Sequence, residues 1–401
     1  MTAPAWRRPG FLIGIASLIA LITFGARSGF GLFLEPMSST FGWGREVFAL
    51  AIAVQNIMWG VGQPIAGAIA DRYGVVRVLI VGSLIYAAGL VLMSMSTTPA
   101  MLTISAGFFI GVGGAGASFG LVMAAVGRLL PDERRSWAFG VIVAANSLGQ
   151  FLMVPLGQAF IFAYGWSTAL VLIGGLVLFV IPLSLSFKST DESTASATTQ
   201  TLSQALREAT GHKSYLLLVA GFFVCGYHVA FIQTHLPAYV ADEGISPAIG
   251  AWAIALVGLF NIVGSFGSGV LGGRFSKKYL LSLIYFFRAV VIGVYVLLPL
   301  TATSTLIFAG AMGLLWLSTV PLTSGLVAVM FGPRYLATLF GIVFLGHQVG
   351  AFLGVWMGGY IFDTVGNYNM VWWISVVLGL IAAIVHWPIT ERPVARMVTS
   401  G

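Results

Sequence analysis

Charge is what this chain has least of: only 8% of its 401 residues are Asp, Glu, Lys or Arg, and just twelve of them are acidic. Soluble domains carry roughly a quarter charged residues, so a water-soluble globular fold is excluded. Cysteine is nearly absent as well. The single Cys225 leaves no intramolecular disulfide and no thiolate metal cluster to consider. No His-Glu-x-x-His pair, no Gly-x-x-x-x-Gly-Lys loop and no Ser/His/Asp grouping at a plausible depth is present, so neither a membrane enzyme nor an ATP-driven pump has its chemistry here. No cofactor is expected. The ten-residue alternation of a membrane β-barrel is missing too.

What fills the chain instead is apolar sequence, 58% of it. Runs of about twenty apolar residues recur, each long enough to cross a bilayer core of ~30 Å. They predict an all-α membrane protein with twelve spans, at about 10–35, 46–69, 76–96, 100–126, 136–162, 166–187, 214–239, 247–271, 279–299, 303–330, 336–362 and 368–388. The first run is too long for the apolar core of a secretory signal, contains Arg27 and lacks a small-residue cleavage site, so it reads as a retained helix. Between the sixth and seventh spans lies a Ser/Thr/Ala-rich linker, 188–213, which separates an N-terminal bundle (1–187) from a C-terminal one (214–401). The net charge of +7 points to topology rather than to nucleic acid. Sixteen of the nineteen Lys and Arg fall on one face, Arg45 alone on the other, and Arg27 and Arg288 within spans. The positive-inside rule therefore predicts both termini in the cytoplasm, as in a bacterial inner-membrane protein.

A guanidinium in hydrocarbon faces a protein interior or a water-filled cavity and has an anionic partner. None of the twelve carboxylates lies at the depth of Arg27 or Arg288, which leaves the substrate as the simplest partner. Helical rise places Arg288 nine residues into the ninth span, His347 eleven into the eleventh and Asn146 ten into the fifth, all near the midplane. Gln55 and Asn56 lie about as deep in the second span, and His228 and Arg27 lie outward of centre. Gln348 and Asn261 complete the candidate binding set. Each arginine has a rival account. Arg27 could reach outward to Glu35 or Asp363, and Arg288 could bond the carbonyls of a broken helix.

The second half repeats the first. At an offset of 201 residues, Phe139-Gly140 matches Phe340-Gly341, and Gly149, Phe151-Leu152, Gly157 and Gly165 match Gly350, Phe352-Leu353, Gly358 and Gly366. With one residue of slip, Gly62 and Gly67 match Gly264 and Gly269. Parallel six-helix repeats with substrate held at the midplane between them are a known transporter architecture. The turn Gly67-Ala-Ile-Ala-Asp71-Arg72-Tyr73-Gly74-Val-Val-Arg77 resembles the cytoplasmic loop signature of the major facilitator superfamily, and Gly269…Gly273-Arg274-Phe275-Ser276-Lys277-Lys278 is its weaker echo. With twelve spans and a central linker, this resemblance covers essentially the whole chain. It implies two pseudo-symmetric six-helix bundles, a monomer, and a gating role for Asp71, Arg72 and Arg77. Within the superfamily, Gly341-Ile-Val-Phe-Leu-Gly-His347-Gln348-Val-Gly350 and Gly226-Tyr-His228-Val-Ala-Phe-Ile-Gln233 resemble the bacterial monocarboxylate-porter and oxalate–formate exchanger branch. Animal monocarboxylate carriers have an Asp and an Arg in the eighth span where this chain has Asn261 and Ser265, and their first-span lysine is missing. Their proton-coupling carboxylate is accordingly not expected here.

These features predict a secondary carrier that moves a small carboxylate across the lipid bilayer by alternating access. It would work either with a co-transported proton or by exchange for another anion. Efflux of cationic drugs on the same fold is the alternative, and it lacks the acidic cavity residue such exporters need. A channel or receptor is disfavoured by the repeat.

Overall fold

The computed structural model of the protein describes residues 9–129, 132–187, 202–332 and 335–394, and all regular structure among them is helical. Of the cations used to orient the chain, Arg7, Arg8, Lys188, Arg334 and Arg396 lie outside the described residues, as does most of the expected linker. Among the described residues, eleven helical stretches are long and apolar enough to cross a membrane. They are Gly10–Phe41, Arg45–Tyr73, Val75–Ser94, Pro99–Gly127, Trp137–Phe187, Lys213–Asp242, Pro247–Gly272, Lys277–Leu297, Ala302–Phe331, Thr338–Val365 and Asn369–His386. One of them, Trp137–Phe187, is 51 residues long, about twice what a bilayer needs. Its backbone turns at Gly165, where φ is 79° and ψ is 162°, a conformation that a residue with a Cβ adopts only under strain. Divided there, it supplies the fifth and sixth spans and brings the total to the expected twelve. Gly366, its repeat counterpart, also has φ of 79° and ends the eleventh span.

The repeat extends to packing. Gly149 of the fifth span lies so close to Leu21 of the first that an added Cβ would sit 2.8 Å from the Leu21 carbonyl carbon. Gly350 of the eleventh span stands in the same relation to Phe223 of the seventh, also at 2.8 Å. Close backbone approach at a small residue holds membrane helices together where no hydrophobic drive acts between them. Both halves also break one helix at the same place. The fourth span passes through a π-helical turn, Thr103–Phe109, and is interrupted at Ala117-Ser118. The tenth is interrupted between Leu315 and Thr319. Such breaks free backbone carbonyls that must find donors in a region without bulk water.

The halves are not in equal contact along their length. On the face opposite the termini, Arg45 at the start of the second span forks onto Asp242 of the seventh (2.7 and 2.5 Å) and donates to Tyr368 Oη (2.9 Å). Its guanidinium also lies 3.8 Å over the Phe362 ring. Asp363 accepts from the backbone N–H groups of Arg45 and Glu46 (2.9 and 2.8 Å), so a carboxylate of one half caps a helix N-terminus of the other. Trp356 Nε1 donates to Glu46 Oε1 (3.0 Å). Gln233 Nε2 reaches the Ser28 carbonyl at 3.3 Å. Deeper in, Asn261 Nδ2 donates to Ser147 Oγ (2.9 Å) and Gln150 Nε2 to the Ile254 carbonyl (2.8 Å). On the terminus-bearing face, in the second, fifth, eighth and eleventh spans, Gly67, Gly140, Gly267 and Gly341 have open space where a Cβ would go, and Ile65, Ile69, Phe266 and Val270 are exposed. The polar latch between the halves lies on the opposite face.

Candidate functional site

The two intramembrane arginines have different surroundings. Arg288 is fully buried and engaged. Its Nε and Nη2 donate to the Leu315 carbonyl (3.1 and 2.7 Å), and Nη2 donates again to the Trp316 carbonyl. These are carbonyls set free by the break in the tenth span. The guanidinium therefore replaces the missing backbone donors, and Asn261 completes the repair by accepting from Leu317 N–H at 2.9 Å. Only Nη1 of Arg288 is left without a partner. Of the two accounts of Arg288, these contacts match the bonds to carbonyls of a broken helix.

Arg27 is less committed. Its Nη2 donates to Asn56 Oδ1 (2.5 Å), whose own Nδ2 is pinned to the Ile52 carbonyl (2.8 Å). The guanidinium carbon lies 4.2 Å from the centre of the Trp59 ring. Nε is buried and has no partner, and no described carboxylate forms an ion pair with it. The outward swing to Glu35 or Asp363 is not taken, since Asp363 caps the second span and Glu35 is exposed. Gln55, Asn56 and Trp59 occupy one face of the second span, at i, i+1 and i+4, which is why one arginine meets two of them and a cavity lined by the third.

That cavity lies within the N-terminal bundle and is small, about 20 Å³, room for a single water-sized guest. Thr23, Arg27, Gln55, Trp59, Tyr86 and Ser118 line it. Four of these present a buried polar atom with no partner: Arg27 Nε, Gln55 Oε1, Tyr86 Oη and Ser118 Oγ. Most buried polar side-chain atoms are paired, so four unpartnered ones around one small void make it a polar spot. Ser118 belongs to the break in the fourth span, the counterpart of the break that Arg288 seals in the other half.

The remaining expected residues are distributed around this centre. Gln55 lines the cavity. Asn146 is buried in the fifth span, with its Oδ1 unpartnered, but does not line it. His347 stacks on Phe344 (centroids 5.6 Å, planes 10° apart), Phe344 packs nearly perpendicular to Trp59 (5.2 Å, 87°), and Trp59 carries Arg27. His347 thus connects to the cavity across the seam between the halves through two aromatic rings. Its Nδ1 faces Gln348 Oε1 at 3.2 Å, and Gln348 Nε2 is unpartnered. His228 turns away, its Nε2 on the Ser375 carbonyl at 2.8 Å. Asn261 bonds Ser147, Ser265 and Leu317. Both His228 and Asn261 thus hold structural contacts, and His228 Nδ1 is buried without a partner. At the terminus-bearing end, Asp71, Arg72 and Arg77 are exposed, with Arg77 Nη1 on the Tyr73 carbonyl (3.1 Å) and Arg72 beside the Tyr73 ring (5.3 Å).

Tyr86, Trp59 and Ser118 did not stand out in the sequence. Trp59 was readable as the residue one turn beyond Gln55. Tyr86 was readable as a hydroxyl eleven residues into an apolar span, and as the position that meets Arg288 when the repeat is slid by 202.

A family model described as Major Facilitator Superfamily matches residues 16–319. An uncharacterised MFS-type transporter of Bacillus subtilis (strain 168), YcxA, is 26% identical over 381 residues, covering 92% of this chain and 92% of that one. Monocarboxylate transporter 13 of Rattus norvegicus is 25% identical over 379 residues, covering 90% and 84% of the two chains. Among solved structures, a bacterial homologue of the human lysosomal transporter Spinster, in an inward-facing and unoccupied conformation, superposes with a TM-score of 0.75 at 15% identity, covering 96% of this chain and 97% of that one.

Proposed function

The chain belongs to the major facilitator superfamily and is a membrane transporter rather than an enzyme; on that premise we propose that it carries a small organic anion, a monocarboxylate, bound at Arg27. The observation that carries this reading is Arg27, half-buried within a membrane span, whose buried Nε has no partner beside a small void and whose guanidinium pairs with no described carboxylate. Burying an unpaired charge is costly, and an arriving carboxylate removes that cost with two charge-assisted hydrogen bonds. The likeness to monocarboxylate transporter 13 supports the same substrate class. A cation-export reading has an arginine where it needs an acid.

In this reading the cationic face is cytoplasmic, and the molecule is held open inward with its outer ends latched. The two bundles rock about the seam that Trp59 and Phe344 share. Alternating access then follows from exchanging the outer latch for contacts among the parted ends, where Asp71, Arg72 and Arg77 stand. A monoanion entering alone against an inside-negative potential meets ~2.3 kcal/mol per 100 mV, so it travels with a proton or in exchange for another anion. His347, which meets the Arg27 site through two aromatic rings, is the candidate proton carrier. The protein works as a monomer in a bacterial inner membrane.

The test is uptake of radiolabelled monocarboxylates into proteoliposomes holding purified protein. Wild type should accumulate at least one such anion and the Arg27→Gln variant should not. Equal uptake by both would remove Arg27 from the mechanism.

A further inference from the structure

The latch does not end at Asp242 and Arg45. A chain of hydrogen bonds runs on from it into the core of the C-terminal half. Arg45 Nη1 meets Tyr368 Oη (2.9 Å), Tyr368 Oη meets His235 Nδ1 (3.1 Å), and His235 Nε2 meets the Val355 carbonyl (2.8 Å). The two ends of this chain fix the sense of every bond in it. A guanidinium only donates and a carbonyl only accepts. Nε2 therefore carries the ring hydrogen and Nδ1 is an acceptor. The Tyr368 O–H points at Nδ1, while the Tyr368 oxygen accepts from Arg45. His235 is neutral in this arrangement, and both it and Tyr368 are buried.

The chain has no slack. A second ring proton has to go on Nδ1, where it faces the Tyr368 hydroxyl. Tyr368 Oη would then accept from two cations, and its own hydrogen would lose its acceptor in a buried setting. The new charge would stand one hydroxyl away from the Arg45 guanidinium. No carboxylate bonds the ring to offset it. Asp242, on the seventh span with His235, holds Arg45. Asp363 of the eleventh span caps the second, and Glu46 of the second accepts from Trp356. Glu35 and Glu243 are exposed, and Tyr239 meets Tyr368 only ring to ring (6.0 Å).

Parting the outer ends reverses each of these terms. Arg45 belongs to the other half and is carried away, so the Tyr368 oxygen is free to accept from a charged ring and its hydrogen can turn to water. Resting on the reading that the latched face is the outer one and that the halves rock, we infer that His235 is a proton-binding switch in the outer latch. A proton taken up there from the outer solution unlocks the seam, so external acid favours the outward-open conformation. Histidine titrates in the range a cell surface meets, and a proton that only the open state accommodates drives opening by linkage.

The test places nitroxides at Thr97→Cys and Thr303→Cys, exposed outer turns of the two halves, in the full chain in lipid nanodiscs. The native Cys225 is buried. Pulsed electron resonance then reads the ratio of long to short distances. One bound proton permits at most tenfold per pH unit, and going from about pH 7.5 to about pH 5 should raise the ratio about tenfold or more. His235→Gln cannot titrate, so its ratio should change by less than about twofold over the same range. Should that variant fail to purify as a single species, Tyr368→Phe supplies the second reading, since it cuts the link between ring and Arg45 and should shrink the acid response to within about threefold. Arg45→Gln at neutral pH should lengthen the distance without acid. If Arg45→Gln opens the seam but acid leaves the wild type closed, or opens His235→Gln equally, the switch is overturned while the rocking reading stands. If neither Arg45→Gln nor acid lengthens the distance, the latched face is not a gate, and the inference falls with that reading.

Discussion

The two halves of this molecule repeat one another helix for helix and differ at the point that matters. Slid by 202 residues, Tyr86 of the third span meets Arg288 of the ninth, and each sits beside the broken helix of its own bundle. In the C-terminal half the arginine fills the break, so the Leu315 and Trp316 carbonyls are satisfied from within. In the N-terminal half a tyrosine stands there, its hydroxyl unpartnered, and a void is left beside Ser118. The half that keeps its charge elsewhere, on Arg27, leaves a small polar void there. One repeat has turned a helix break into a strut, and the other leaves its break unfilled.

Exchanging the arginines' roles by mutation is the hardest way to press that comparison, and the largest effect should come from Arg27. Truncating one member of a buried charge pair costs about 2–5 kcal/mol of binding, or about 30-fold to several thousand-fold. Arg27→Gln should therefore abolish measurable carboxylate binding, while the thermal unfolding midpoint of the ligand-free protein stays within a few degrees of wild type. Arg288→Met should invert this pattern. With its fork gone, two buried carbonyls lose charge-assisted hydrogen bonds worth roughly 1.5–3 kcal/mol each, and the unfolding midpoint should fall well below that of Arg27→Gln. Arg288→Lys should not restore it, because an ammonium lacks the planar fork that spans both carbonyls. A thermal scan with and without ligand separates the two. If Arg288→Met keeps wild-type stability and loses only binding, the strut is misassigned.

This division was only partly legible in the sequence. Span positions, the repeat and the isolation of both arginines from carboxylates followed from patterns that survive in one dimension: apolar length, glycine register and charge count. The helix break at Leu315–Thr319 did not, because Leu-Trp-Leu-Ser carries no proline or glycine. Arg288 and its carbonyl acceptors are 27 and 28 residues apart, and backbone acceptors leave no mark on composition. Arg27's setting was closer to the surface of the sequence, since Gln55, Asn56 and Trp59 share one helical face. The cavity's other wall was not, because Tyr86 and Ser118 become neighbours only when the third and fourth spans pack. Arg45 was visible as the one cation on the wrong face, but its partner Asp242 lies 197 residues away.

A second contrast, between the latched face and the terminus-bearing one, predicts a smaller effect. Asp242→Asn leaves the hydrogen bonds partly in place but removes the charge that Arg45 holds across the seam. Loss of one partly exposed ion pair is worth on the order of 1 kcal/mol, enough to shift a two-state balance about fivefold toward the conformation with the outer ends apart. Asp363→Asn should act in the same direction, because Asp363 caps the second span of the other half. Spin-label distances between residues 40 and 243, measured by pulsed electron resonance, would show the longer population grow. A distribution unchanged in both variants would mean that the latch is ornament and that the outer seal rests on apolar packing alone.

The gentlest change tests how the Arg27 site communicates with the seam. Trp59 touches Arg27 with its face and packs nearly perpendicular to Phe344, so it belongs to both halves of the comparison at once. Trp59→Phe keeps a ring in place but weakens the cation–π attraction, which runs from about 0.5 kcal/mol at exposed sites to about 2 when desolvated. Binding of the anion should weaken about two- to tenfold. Removing the larger ring also withdraws its contact with Phe344, and therefore loosens the coupling of site to seam, so transport rate should fall by more than affinity does. That inequality carries the prediction. A variant whose uptake declines only in proportion to its affinity would show that Trp59 serves the anion alone, and that the two halves sense the occupied site through some other contact.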